Sequence, residues 1–239
     1  MTSTDYASFD LHVHTVYSLD SIITIDDLKR VLRSGLLTHV GVTDHNTARG
    51  GLKARRELGG QIIAGMEISS CDGHVLILGI RDERENKHMV KLVGLSALEV
   101  IEEALDENLI VVIPHPFEPR RGGLCTEVVI SILDRYGEVL MEVLNAASFS
   151  FFQRRALRTL SQIKHQIKPL ASSDAHIPEA IGCAYTLALH PLKRPEDLPE
   201  LLRSNVMLIP KGRSLSTRLR LKTVISQVTL KIRRLCYHL

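Results

Sequence analysis

Two histidines spaced two apart close the first apolar run of the chain, FDLHVHTVYSLDS (residues 9–21), with Ser18 and Asp20 just beyond. An extended segment sends alternate side chains the same way, so His12 and His14 share one side. Two imidazoles placed together repel when both are protonated and are compatible when neutral around one cation. The pattern recurs along the chain. Asp44 and His45 end VGVTDHN, Glu67 ends AGMEIS, and His74 opens the next apolar run. His115 ends LIVVIPH, Glu142 and Asn145 end LMEVLN, and Asp174 and His176 end LASSDAH. Any one of these reads as a helix cap, a turn or a solvated strand end. A His, Asp or Glu at nearly every strand end, with no paired cysteines, suits Zn, Mn or Fe at nitrogen and oxygen ligands.

The elements that must carry these residues alternate. FDLHV reads as a strand, and TIDDLKRVLRSGL as a helix capped by Thr24 and stopped at Gly35. THVGVTDH is a strand and RGGLKARREL a weaker helix. QIIAGMEIS and HVLILGI are strands around the turn CDG, as in a hairpin. SALEVIEEALDEN opens with the capping box Ser96/Glu99. LIVVIPH, EVLMEVLN, KPLASSDAH, AYTLAL and NVMLI are further strands. TEVVISILDRYG, SFFQRRALRTLSQIKHQ and PEDLPELLRS are helices. Strand then helix, about seven times, predicts an α/β fold with a largely parallel sheet, whose C-terminal strand edge binds ligands.

The 239 residues are 44% hydrophobic and 24% charged, enough for one substantial core. No apolar run is long enough to span a membrane, and the N-terminus shows no signal peptide. Cys71, Cys125, Cys183 and Cys236 are scattered, against a disulfide framework or a cysteine zinc site. A reduced, cytoplasmic protein is expected. Of 30 basic and 27 acidic residues, eight basic and no acidic ones lie in 211–239, leaving 22 against 27 in residues 1–210. The predicted organisation is therefore an acidic body, 1–210, and a basic helical tail, 211–239.

DLHVHTVYSLDS, VTDHN, GMEIS with HVLILG, IPHPF, MEVLN and SSDAH follow in the order seen in the PHP (polymerase and histidinol phosphatase) domains, and the chain resembles that family from about Phe9 to Leu187. The resemblance implies a distorted (β/α)7 TIM-like barrel, two or three divalent ions at its C-terminal face (Zn, Mn or Fe, with Mg as another candidate), and phosphoesterase activity. Carried over by motif, it implies one ion held by His12, His14, Glu67 and Asp174. Glu67 bridges to a second, completed by His74 and His115, and Asp20, His45 and His176 hold a third. The interval from His14 to Asp20 is one residue longer than in the commonest HTxxSDG form. Asp44 is assigned to orient His45 or its loop, and His176 or His45, where not committed to metal, to protonate the leaving group.

A phosphorylated small molecule or nucleotide is the expected substrate, with histidinol phosphate as an alternative. Arg120 and Arg121, in HPFEPRRGG, and Arg49, in DHNTARGG, are candidates for bidentate phosphate contact. Gly122 and Gly123 would let backbone approach a ligand. Asn145 is expected to orient a ligand or cap a helix. In the tail, Leu221, Ile225, Val228, Ile232 and Leu235 step by 4, 3, 4, 3, a heptad seam flanked by Lys and Arg. The tail is read either as docking that seam on the body or as an arm for self-association, an anionic membrane surface or nucleic acid, the last giving an exonuclease-like alternative.

Overall fold

The structure is a computed structural model describing residues 6–149, 167–190, 192 and 194–237. β1 (Ala7–Val13), β2 (His39–His45) and β3 (Ile62–Ser69) are parallel, joined through α1 (Ile25–Arg33) and α2 (Arg49–Leu58). β4 (His74–Leu78) returns antiparallel to β3, and α3 (Glu83–Val90) and α4 (Ala97–Asp106) lead to β5 (Ile110–Ile113), antiparallel to β4. After α5 (Thr126–Tyr136) come β6 (Val139–Asn145) and β7 (Ile167–Ser172), both parallel to β5. β8 (Ala184–Ala188) adds antiparallel to the free edge of β1. α6 (Leu198–Arg203), β9 (Leu208–Gly212) and α7 (Thr217–Tyr237) follow.

The sheet order is β7-β6-β5-β4-β3-β2-β1-β8-β9. It curls until its ends nearly meet. Just beyond β7, Ala175 bridges to Val13, with His14 N–H donating to the Ala175 carbonyl at 2.9 Å. Lower down, Thr186 of β8 takes the place of a backbone pairing, its hydroxyl accepting from Ala171 N–H at 2.8 Å and donating to the Ala171 carbonyl at 3.1 Å. The result is an α/β barrel-like sheet.

Half of the eight strand pairings are antiparallel, where the sequence pointed to a largely parallel sheet. The segment between β3 and β4 is a short turn, and a turn gives a hairpin, whereas a parallel partner needs a crossover of a dozen residues. β4 thereby brings its N-terminal end, with His74 opposite Ser69, to the rim where the parallel strands end.

Phe9 and Leu11 pack with Leu76, Leu78, Val112, Leu140 and Leu170 inside the barrel. Strict alternation would then send His12 outward. Between Asp10 and Val13, however, three residues of β1 oppose two of β2, a bulge that inverts the parity. His12 and His14 thus inherit the inner side above Leu11. Gly41 admits the bulge, since a Cβ there would lie 2.8 Å from the Leu11 Cα.

Thr24 and Asp27 form a reciprocal capping box on α1, and Ser96 and Glu99 another on α4. α3 has no counterpart in the sequence reading, because its segment ERENKHMV shows little apolar periodicity. It forms on the Asp82 cap, buries Met89 and Asn86, and Asn86 Oδ1 accepts from Ala48 N–H at 2.8 Å. The helix expected over SFFQRRALRTLSQIKHQ lies outside the described residues. β9 starts three residues later than NVMLI and runs to Gly212, taking the first two residues of the tail into the sheet.

The tail docks, but not by its seam. Leu221, Ile225, Val228 and Ile232 are each more than half exposed. The half-buried side of α7 carries Leu219, Arg220, Thr223, Ser226, Gln227 and Leu230, mostly polar. Arg220 anchors it with four hydrogen bonds to the carbonyls of Ala146, Ala147, Ser148 and Leu215 and lies over the Phe149 ring. Four carbonyls at a loop edge satisfy a guanidinium more fully than water-exposed aliphatic contacts satisfy a seam, so the polar side wins the dock.

Candidate metal centre

The rim gathers His12, His14, Asp20, His45, Glu67, His74, His115, Asp174 and His176. Three overlapping groups have ligand atoms all within 4.8 Å of one another: His14 with Asp20, His45 and His176; His12 with His14 and Asp174; His12 with Glu67 and His115. A fourth among the described residues, His88 with Glu103 and Glu107, is a partly exposed ion-pair cluster on the outer helices.

Glu67 is the hub. Its Oε1 lies 2.8 Å from His74 Nδ1 and 3.0 Å from His115 Nε2, and its Oε2 lies 3.0 Å from His45 Nδ1, 3.3 Å from His14 Nε2 and 3.5 Å from His12 Nε2. Asp174 Oδ1 stands 3.6 Å from His12 Nε2 and 3.4 Å from His14 Nε2. Asp20 Oδ2 is 3.0 Å from His176 Nε2 and 3.6 Å from His45 Nε2. His74 touches the cluster through Glu67 and stands at its more open side.

The imidazoles are oriented from behind. His12 Nδ1 lies 2.9 Å from Glu142 Oε1, and a carboxylate only accepts, so Nδ1 carries the proton and Nε2 faces the cluster. Glu142 Oε2 accepts from His115 N–H and from Asn145 Nδ2, both at 2.8 Å. His14 Nδ1 is 3.1 Å from Ser18 Oγ, which also accepts from His45 N–H at 3.0 Å. Asp44 takes Thr15 N–H at 2.6 Å and the Thr15 hydroxyl at 2.8 Å, so it fixes the loop after His14 rather than the His45 ring. His115 and Asp174 hold positive φ, 28° and 52°. Backbone in that region costs about 1–3 kcal/mol per residue and persists where side-chain bonds over-determine it.

This chemistry fits divalent ions. His12 Nε2 and His14 Nε2 are 3.1 Å apart in a buried space shared with oxygens of Glu67 and Asp174. Burial presses the His12 imidazole down, but Asp174, Glu142 and Glu67 outweigh it and hold it well above its ordinary value, so the space favours positive charge, as a proton on one ring or as a cation. The electrostatics agree. Burial pushes the Glu67 and Asp174 carboxyls up, but His12 and His115 around the first, and Arg121 and His12 around the second, hold both well below the usual range. Burial, then His176 and His45, press the His14 imidazole down to about 3, so it stays neutral, as a ligand must. Asp20 Oδ1 and His115 Nδ1 are buried without a hydrogen-bond partner among the described residues.

The residues chosen for substrate divide. Arg121 pairs with Asp174 Oδ2, leaving its buried Nε unpartnered. Arg120 and Arg49 are exposed on the loop after β5 and at the start of α2. Asn145 is buried beneath the carboxylates, donating to Glu142 and, at 3.3 Å, to Asp174 while its Oδ1 accepts from Ala147 and Ser148 N–H, so it serves the ligands and the turn. Gly122 and Gly123 make room for the site's own groups: a Cβ at Gly122 would meet His74 Nε2 at 2.8 Å, and one at Gly123 the His115 carbonyl at 2.3 Å. Sequence reasoning placed Glu142 among the strand-end polar residues and Ser18 beside the first histidine pair without giving either a role, and it passed over buried Glu118, which is bonded by the Ser148 hydroxyl.

A barrel whose rim assembles six histidines with Asp20, Glu67 and Asp174 defines a metallohydrolase-type centre. The chain belongs to the PHP domain family, matching it over residues 10–171, and matches the PHP-associated family over 154–206. It is a metal-dependent hydrolase, the enzyme class of that family. It is 30% identical over 123 residues to the uncharacterized protein MJ1587 of Methanocaldococcus jannaschii, covering 46% of this chain and 68% of that one. Similar solved structures include PsfC from Pseudomonas syringae (18% identity, TM-score 0.66, 95% of this chain and 99% of that one). The lesion-specific endonuclease PfuEndoQ from Pyrococcus furiosus has 17% identity and a TM-score of 0.61, over 87% of this chain and 59% of that one. A protein assigned as a metal-dependent phosphoesterase from Bifidobacterium adolescentis has 18% identity and a TM-score of 0.53, over 70% and 87%.

Proposed function

We propose that the chain hydrolyses a phosphate monoester of a small metabolite or nucleotide, using two or three divalent ions, Zn, Mn or Fe in first place and Mg as another candidate. The observation that carries this reading is the buried convergence of His12 and His14 Nε2 with Glu67 and Asp174. His12, His14, Glu67 and Asp174 hold one ion, Glu67, His74 and His115 a second, and Asp20, His45 and His176 a third. Ions so held polarise a phosphoryl oxygen and supply hydroxide at neutral pH. Glu142 fixes the His12 tautomer, and Ser18 orients the His14 ring. Arg121, aligned by Asp174, offers its free Nε to a phosphoryl oxygen, and Arg120 and Arg49 are exposed outer contacts for the same charge. His176 Nδ1 lies 3.0 Å from the Asp174 carbonyl, which orients its Nε2 towards Asp20. His176 or His45 donates to the leaving alkoxide in any state where its ring is not a ligand, and Asp44 keeps the Thr15 loop in place.

Residues 1–210 are read as the catalytic body and 211–239 as an appendage whose first two residues continue β9. The free thiols of Cys71, Cys125 and Cys183 support a reducing, cytoplasmic setting, and no helix among the described residues is long and apolar enough to cross a membrane. The test is metal content of the wild type and of His12→Ala/His14→Ala, with phosphate release from nucleotides, sugar phosphates, histidinol phosphate and p-nitrophenyl phosphate. Two or three ions, partly lost in the variant, with release from one class, would sustain the proposal. No retained metal and no hydrolysis after Mn or Zn is restored would sink it.

A second reading, a nucleic-acid-processing enzyme, is favoured by one observation. Arg218, Lys222, Lys231 and Arg233 are exposed along α7 beside the site. Binding through them would weaken steeply with salt and disappear on removal of residues 213–239. The exposed seam also allows self-association, which a concentration-dependent mass would reveal.

A further inference from the structure

We infer that Gln227, on the C-terminal helix, is a positioning residue for Asp20, so that α7 completes the third ion site. The inference rests on the reading of Asp20, His45 and His176 as ligands.

Four other ligands of the centre are each steadied by a group beside them. Glu142 holds His12, Ser18 holds His14, Arg121 and Asn145 hold Asp174, and the Asp174 carbonyl holds His176. Asp20 sits on the loop after β1, beside Leu19, which is 71% exposed. Among the described residues its carboxylate has one bond from outside the cluster: Gln227 Nε2 donates to Asp20 Oδ2 at 3.2 Å. Oδ2, the oxygen that faces His176 and His45 Nε2, is the one Gln227 bonds, so the amide fixes the carboxylate with that oxygen turned to the two imidazoles, while the buried Oδ1 has no hydrogen-bond partner among the described residues. An amide suits the task because it donates without adding positive charge that would repel the ion.

The helix is built to bring Gln227 there. Arg220 fixes one end to the carbonyls of the loop after β6. Lys222 pairs with Glu179, just past His176. Gln227 follows two turns beyond Arg220, about 10 Å along the axis and on nearly the same face. α7 therefore spans the rim from the end of β6 to the loop after β1. It lies beyond both family matches, which end at residues 171 and 206.

The test is Mn2+ binding by calorimetry, with metal analysis after gel filtration, on the full chain. The proteins are wild type, Gln227→Leu, Asp20→Asn, the double variant, and Ser226→Ala as a control on the same half-buried side. Gln227→Leu is expected to weaken one of three ions by about 10–100-fold and leave the others unchanged. The double variant should match Asp20→Asn alone within about twofold, because both act on one interaction. Ser226→Ala should keep all three affinities. Wild type with fewer than three ions would overturn the three-ion reading, and the inference with it. Three ions in wild type with unchanged affinities in Gln227→Leu, additive effects in the double variant, or an equal loss in Ser226→Ala would overturn the inference alone.

Discussion

Glu67→Gln tests the centre at its hub. The substitution keeps shape and removes one charge from a residue that is 1% exposed and whose two oxygens stand 2.8–3.5 Å from five imidazoles. A unit charge about 4 Å from a unit positive charge contributes about 4 kcal/mol at an effective dielectric near 20. Per unit of ion charge, that is about a 1,000-fold change in dissociation constant. Glutamine also turns an –NH2 towards ring nitrogens that need an acceptor or a cation. Because Glu67 lies between two proposed ions, both should weaken. The assay is Mn2+ calorimetry with metal analysis after gel filtration, plus phosphate release at saturating Mn2+, on protein shown to be folded by circular dichroism. The expected variant retains at most one ion and loses about three decades of activity at metal levels that saturate the wild type. Full ion content with affinities within about threefold of wild type would refute the bridging role, since a charge at such range cannot be removed so cheaply.

Glu142→Gln should weaken ion binding by about 10–100-fold without moving a ligand, because Gln no longer dictates the His12 tautomer; Mn2+ titration reads this, and an unchanged isotherm counts against it. Gly50→Ala would place a Cβ 2.1 Å from Asp44 Oδ2 and 2.5 Å from Thr15 Oγ1, so urea denaturation should show a loss of about 1–3 kcal/mol. Burial pushes the Asp27 carboxyl up, but Thr24 and Arg30 outweigh it and hold it below its ordinary value. Its contribution is therefore present above the unfolded pKa and lost as pH falls through the lower folded one. Asp27→Asn should cost about 1 kcal/mol at pH 7 and flatten stability against pH below about 4, measured by denaturation at several pH values. Chelation should lower the melting midpoint, by about 3–4 kcal/mol of stability for ions present at 100–1,000 times their dissociation constants.

The sequence by itself carried the strand ends and their ligand types. His12, His14, His45, Glu67, His115, Asp174 and His176 were legible because each closes an apolar run, and parallel strands deliver their C-terminal ends to one rim. His74 was legible through the hairpin turn before it. The caps at Thr24 and Ser96 were legible because capping is local. Tertiary structure decided the rest. A bulge between Asp10 and Val13 turns His12 inward above Leu11, and alternation alone cannot reveal a change of register that depends on a neighbouring strand and on Gly41. The antiparallel placement of β8 depends on which edge of β1 is left free. Arg121 and Asn145 were legible as candidate substrate contacts, but not their bonds to Asp174, 53 and 29 residues away. Gln227 meets Asp20 across 207 residues. The tail's seam was visible in sequence, but whether it faced the barrel was not, because that turned on carbonyls of the loop after β6 that only the fold presents to Arg220.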